Sequence, residues 1–168
     1  MSGRPGSVGS RGGSTPCRSV RVRVEAHPVE VARPESGDEV AALVRSARER
    51  GLPVKAVGAG HSFTPIAATD GIQVDLSALS GVRRVDGDLV TLGAGTHLYD
   101  VAPLLAPHGL ALQNMGDIDR QTLAGATSTG THGTGAAFGG LATRVAGATL
   151  VTRSEEHTSE LQSHHDLV

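Results

Sequence analysis

Val54-Lys55-Ala56-Val57-Gly58-Ala59-Gly60-His61-Ser62-Phe63 decides how the chain is read. A short apolar run that stops at a glycine reads as a buried strand giving way to a loop. Glycines in such a loop let backbone amides approach a ligand closely, and successive amides in a tight turn form a concave anion site that suits a pyrophosphate. The nicotinamide-type fingerprint G-x-G-x-x-G is not met. Phe63 stands where its third glycine belongs, and Pro65 follows where a helix should begin. A Walker lysine is absent as well.

Upstream of that loop, Ser36 and Glu39 form a capping-box pattern, and Val40, Leu43, Val44 and Ala47 follow at helical spacing. Gly51 stands where a left-handed C-terminal residue is wanted. Val29 to Ala32, ended by Pro34, reads as a strand, and Val20 to Val24 alternates as an earlier one. Strand, helix, strand and glycine loop in that order make an α/β unit. Downstream, Ile72 to Leu76 reads as a further strand, and Val82 to Asp86 with Leu89 to Leu92 reads as a hairpin turning near Asp86-Gly87. Thr96 is expected to cap a second helix whose Leu98, Val101, Leu104 and Leu105 share a face, closed by Pro107 and Gly109. From Leu110 to Gly140 the chain is rich in glycine and threonine, a poor core but a good surface for close backbone contacts. Ala142 to Val151 returns to strand character.

The second constellation is Gly125-Ala126-Thr127-Ser128-Thr129-Gly130-Thr131-His132-Gly133-Thr134-Gly135. Hydroxyls interleaved with free amides can satisfy the phosphate, ribitol and ring heteroatoms of a large polar cofactor without fixed charge. A flexible glycine-rich surface loop is the alternative on pattern alone. His132 within it admits two roles, a contact to the cofactor or a hydrogen-bonded anchor of the loop. His27, His97 and His108 read as structural or exposed. No pair of histidines has metal-ligand spacing such as H-x-x-x-H, which disfavours zinc. Asp117 and Asp119 read as turn formers rather than catalytic carboxylates.

Composition narrows the function classes. A chain of 168 residues has room for one domain or two small lobes. Phe63, Phe138 and Tyr99 are the only aromatics, which leaves few platforms for stacking on bases. A formal net charge of -2 with mixed signs argues against nucleic acid or an anionic membrane as partner. Cys17 stands alone, so neither an internal disulfide nor a thiolate cage can form, and a reducing cytoplasm fits. No segment approaches the roughly 18 to 20 apolar residues of a membrane span.

Both ends differ from the middle. Residues 1 to about 19 are dense in Gly, Ser, Pro and Arg and read as a disordered leader. Residues 153 to 164, RSEEHTSELQSH, are what one reading frame of a common sequencing-library adapter encodes, so 153–168 reads as a non-native tail on a truncated chain. That tail holds one cation, Arg153, against Glu155, Glu156, Glu160 and Asp166, leaving +1 on the remainder. It also holds His157, His164 and His165, so five of the eight histidines remain to be explained.

Three stretches in order, VKAVGAGHSF, TDGIQVDLSAL and VTLGAGTHLYDVAPLLAPHGLALQNMGDIDRQTLAGATSTGTHGTG, carry a family resemblance. Across roughly residues 27 to 152 the chain resembles the PCMH-type FAD-binding domain of the vanillyl-alcohol oxidase superfamily, most closely the aldonolactone oxidases and alditol oxidases. The resemblance implies an α+β fold, an α/β first lobe at about 25–80 and a mixed second lobe at about 81–152, truncated before the substrate cap domain. It implies FAD as cofactor, held by Gly58, Ala59, Gly60, His61, Ser62 and Phe63 of the first loop, by Gly116, and by Gly125, Thr127, Ser128, Thr129, Gly130, His132 and Gly133 of the second stretch. In families with this loop the histidine is bonded to the 8α-methyl of the isoalloxazine, a role that falls on His61. A neutral imidazole can attack that methyl, and the cationic substituent that results makes the flavin a stronger oxidant.

The activity so implied is dehydrogenation of a sugar-derived lactone or polyol, with dioxygen reoxidising the flavin to give hydrogen peroxide. The groups that activate the substrate hydroxyl, and a later strand that completes the flavin cradle, are expected beyond Thr152. Two other readings stand beside it. One is another PCMH-type flavoenzyme acting on a hydroxy acid or a sugar nucleotide, and the other is a truncated fragment without activity.

Overall fold

The computed structural model describes residues 25–152 and, as a strand, residues 156–160. The leader and the expected strand Val20 to Val24 lie outside the described residues.

The first lobe is built as its local signals require. Strand β1 (Glu30–Ala32) leads into helix α1 (Gly37–Glu49) through Ser36, whose hydroxyl accepts the Glu39 amide at 3.2 Å. The Glu39 carboxylate reaches back one residue further than a capping box requires, to the amide of Glu35 at 2.9 Å. At the other end Gly51 takes φ +65°, with Gly51 N–H on the Arg48 carbonyl at 3.1 Å and Leu52 N–H on the Ala47 carbonyl at 2.8 Å. That pair of bonds is a Schellman motif, and it turns the chain sharply into strand β2 (Val54–Val57).

Strand β3 (Ile72–Asp75) lies between β1 and β2, parallel to both, with Val31, Gln73 and Lys55 in one row of the register. Ile72 and Val74 are buried against Ala47 of α1, joined by Ala32, Leu43, Leu52, Val54 and Leu76. The alternation of a strand and the stripe of a helix thus meet as one small core.

The second lobe has a core of its own. Strands β4 (Val82–Asp86) and β5 (Leu89–Leu92) form an antiparallel hairpin in which Asp86 pairs with Leu89. Gly87 (φ +59°) and Asp88 therefore make the turn, one residue later than the sequence suggested. Helix α2 (Leu98–Leu105) buries Leu98, Val101 and Leu105, while Leu104 is only half-buried. These meet Ala126 and Leu141, flanked by Val90, Leu92, Leu110, Leu112, Met115 and Leu123.

Three expectations change here. His97, not Thr96, is the N-cap residue of α2. Thr96 is 1% exposed, and its hydroxyl donates to the Gly93 carbonyl at 2.7 Å and accepts the Gly81 amide at 3.0 Å, closing the turn between β5 and α2. The glycine- and threonine-rich stretch contains a six-residue helix, α3 (Leu123–Ser128), with Ala126 fully buried. Finally, Leu141–Arg144 forms a 3-10 turn that delivers Leu141 to the core, so strand β6 spans only Gly147–Val151. Strand β7 (Glu156–Glu160) pairs with β6 antiparallel, and β6 also packs against α1.

Candidate cofactor site

The first glycine loop leaves β2 at the carboxyl end of the parallel sheet, the edge at which open α/β sheets receive ligands. Val57, the last residue of β2, is in register with Asp75. Asp75 accepts from Arg33 Nη2 at 2.7 Å, Arg33 Nε at 3.0 Å and the Ser77 amide at 2.9 Å. Partial burial pushes its pKa up, but the Ser77 amide and the Arg33 guanidinium outweigh that, and it is held below the ordinary carboxylate value. The carboxylate is thereby tied to the sheet edge as an anion.

Gly60 takes φ +73°, which only glycine adopts without strain, and it turns the loop so that His61 follows half-buried. Among the described residues the amides of Gly60 and His61 donate to no backbone carbonyl. Further along, the Thr64 amide donates to the Ser62 hydroxyl at 3.3 Å, and Phe63 is 66% exposed.

The second stretch is organised by Thr122, the N-cap of α3, whose hydroxyl accepts the Gly125 amide at 3.4 Å. Thr127 donates its hydroxyl proton to the carbonyls of Leu123 and Ala124 at 2.9 and 3.2 Å, and Thr129 donates to Gly125 at 2.8 Å. These protons serve the helix itself, so toward a ligand the two hydroxyls offer lone pairs. Gly130 (φ +68°) ends the helical run, and beyond it the amides of His132, Gly133 and Thr134 donate to no backbone carbonyl among the described residues.

Residues 114–116 and 131–134 run side by side. Asn114 Nδ2 donates to the Thr134 carbonyl at 3.0 Å, and a Cβ on Gly116 would stand 3.0 Å from the His132 carbonyl. At Gly133 a Cβ would collide with the Met115 carbonyl, so glycine is required for this approach. The ring of His132 turns back on its own loop, with Nδ1 2.9 Å from the Gly133 carbonyl. A carbonyl only accepts, so Nδ1 carries the proton; the bond serves the loop and engages only one of the two ring nitrogens.

The two stretches meet at Gly58, where a Cβ would stand 2.5 Å from Thr122 Oγ1. Gly58 and Gly125 therefore share one neighbour, and Gly116, His132 and Gly133 gather at the far end of α3, a helix about 9 Å long. His97, with Nδ1 3.1 Å from the Arg120 carbonyl and its ring stacked on Tyr99, helps hold α2 to the segment before α3. Thr122 and Asn114 were not among the residues singled out from sequence. A threonine three residues before Gly125 is an N-cap signal that was available, whereas nothing local marks Asn114.

Free amides in glycine loops that only a backbone can fill, with little fixed charge, fit a large phosphate-bearing cofactor bound mainly through the main chain.

Residues 28–159 match the family of the FAD binding domain. The chain is 45% identical over 131 residues to an L-gulono-1,4-lactone dehydrogenase of Mycobacterium tuberculosis, covering 77% of this chain and 31% of that protein. It is 39% identical over 147 residues to a D-arabinono-1,4-lactone oxidase of Eremothecium gossypii, covering 84% and 27%. A solved chitooligosaccharide oxidase superposes with a TM-score of 0.74 at 22% identity, over 86% of this chain and 32% of that one, a likeness of fold. The chain thus spans about a third or less of the curated relatives it matches.

Proposed function

Because the chain belongs to the family of the FAD binding domain, we propose that its parent protein is an FAD-dependent oxidoreductase acting on the CH–OH group of an aldonolactone or alditol, with the flavin tethered to His61. The observation that carries this reading is the junction of the two glycine stretches at the carboxyl edge of the sheet, Gly58 against Thr122. The identity to a lactone dehydrogenase and a lactone oxidase supports the substrate class.

In this reading the amides of Gly60 and His61 bind the pyrophosphate, and the lone pairs of Thr127 and Thr129 with the amides of Gly133 and Thr134 face the rest of the cofactor. A ring nitrogen of His61 would hold the flavin at its 8α carbon in place of one hydrogen, whose proton would be lost and whose bonding electron pair would pass to the flavin ring and on to dioxygen. Asn114 and His132 hold the second loop in place from behind. Bound FAD supplies the two-electron acceptor for hydride from the substrate carbon, with dioxygen as the proposed final acceptor. No helix among the described residues is long and apolar enough to cross a membrane, and the single Cys17 accords with a cytoplasmic location.

The test is acid precipitation of the full-length parent protein. Yellow flavin is expected in the pellet, and His61→Ala is expected to move it to the supernatant. Flavin released equally from both proteins would remove His61 from the tether.

A further inference from the structure

The structure assigns to Thr122 the role of a positioning residue: its side chain is the stop against which the His61-bearing loop rests, and so it sets where the imidazole stands for cofactor attachment. This rests on the reading of His61 as the tether.

Thr122 is 8% exposed and is fixed within the second lobe. It forms an antiparallel bridge with His97, and its neighbours are bonded on both sides. Leu98 N–H donates to the Gln121 carbonyl at 2.9 Å, Leu123 N–H to Thr96 at 2.7 Å and Ala124 N–H to Ala94 at 3.0 Å. Its hydroxyl caps α3, accepting the Gly125 amide at 3.4 Å, so the oxygen that faces Gly58 is held from both sides of the chain.

The loop, by contrast, belongs to the first lobe and is pinned at its start, because Val57 is paired with Asp75. Gly58 then lies so close to Thr122 that a Cβ would stand 2.5 Å from Oγ1, with Cβ and Cγ2 of Thr122 at 3.7 and 3.8 Å. His61 is three residues on, a reach of at most about 11 Å. Wherever Thr122 stops Gly58, the Cα from which the His61 imidazole extends must lie within that short tether. A displacement of about 1 Å at a reacting group can slow a reaction about 100-fold.

A five-variant test separates positioning from general damage. Gly58→Ala places a methyl against Oγ1. Thr122→Ala vacates the space, and Thr122→Ser keeps the oxygen. Each is made alone, and Gly58→Ala is also combined with either Thr122 change. In the full-length parent, the rate of covalent flavin incorporation is followed by fluorescence of the denatured protein band. In the present chain, the thermal unfolding midpoint is followed without flavin.

Gly58→Ala is expected to slow incorporation about tenfold to 100-fold, Gly58→Ala/Thr122→Ala to recover most of it, and Gly58→Ala/Thr122→Ser to recover none. The unfolding midpoint is expected to drop in Gly58→Ala, and in Gly58→Ala/Thr122→Ala to return to that of Thr122→Ala alone, which shows only the loss of the α3 cap. Wild-type incorporation by Gly58→Ala, or equal behaviour of the two double variants, would overturn the proposal. If the wild-type parent holds its flavin without a covalent bond, the tether reading has failed. The pattern of midpoints then still decides whether Thr122 is the stop for the loop.

Discussion

Asp75 is the residue on which the acid response of the fold should turn. Its carboxylate accepts from Arg33 at 2.7 and 3.0 Å and from the Ser77 amide at 2.9 Å, and its pKa is held below the ordinary carboxylate value. A carboxyl with a depressed folded pKa contributes stability fully above its unfolded value, and that stability is lost as pH falls through the lower folded value. Unfolding free energy should therefore decline as pH drops below about 4, and Asp75→Asn should flatten that part of the profile by lowering stability at pH 7, the two proteins converging at low pH. Because the Arg33 side chain is 67% exposed, the effect is modest, and added salt should reduce it. Denaturant titrations of both proteins between about pH 2 and 6 check this; parallel profiles would assign the acid response elsewhere. At this scale the sequence revealed residues whose meaning is local: Gly58, Gly60 and His61 announce a loop by their order alone. It did not reveal Thr122 or Asn114, because their importance comes from Gly58 and Thr134, which only the fold brings to them.

Among the elements, β3 carries a conflict. Its register places Gln73 between Val31 and Lys55, 4% exposed, and Nε2 has no hydrogen-bond partner among the described residues. A buried donor left unmade costs about 1–3 kcal/mol, and an apolar side chain of similar shape removes that cost. Gln73→Met should therefore raise the unfolding free energy by about 1 kcal/mol, read as a higher denaturant midpoint at unchanged slope. A loss of about 1 kcal/mol or more would mean that water or another group satisfies the amide. The elements that were legible in sequence are those whose signals lie within them. Ser36, Glu39 and Gly51 bound α1, and the apolar runs of β2 and β3 flank the loop. Helix α3 was hidden because Leu-Ala-Gly-Ala-Thr-Ser is a weak helix former. It forms because Thr122 caps it and the second core covers Ala126, which are tertiary facts. The late start of β6 has a similar cause, since Leu141 is drawn into that core and the chain must turn first.

Seen whole, the molecule is two small cores joined by backbone-close contacts, Gly58 against Thr122 and Gly95 against the Leu76 carbonyl, and by α1 packing on β6. Residues 147–151 therefore matter to both lobes, and the question is what residues 153–168 add to them. The family match runs to residue 159, and β7 pairs with β6 from Glu156 to Glu160. Against this, residues 153 to 164 read as a translated adapter, and the β7 sequence Glu-His-Thr-Ser-Glu has no apolar residue. A two-stranded ribbon in which one strand brings no apolar residue is marginal in water on its own. If the tail is non-native, its pairing with β6 contributes little, and the two cores hold the chain without it. A chain ending at Thr152 should then unfold within about 2 °C of the full chain, since about 1 kcal/mol shifts the midpoint of a chain this size by roughly 2–4 °C. Thermal unfolding of the two chains under one set of conditions checks this. A drop of more than about 5 °C would establish β7 as part of the fold and overturn the adapter reading, because a strand that stabilises β6 to that extent is a native partner of the lobe it completes.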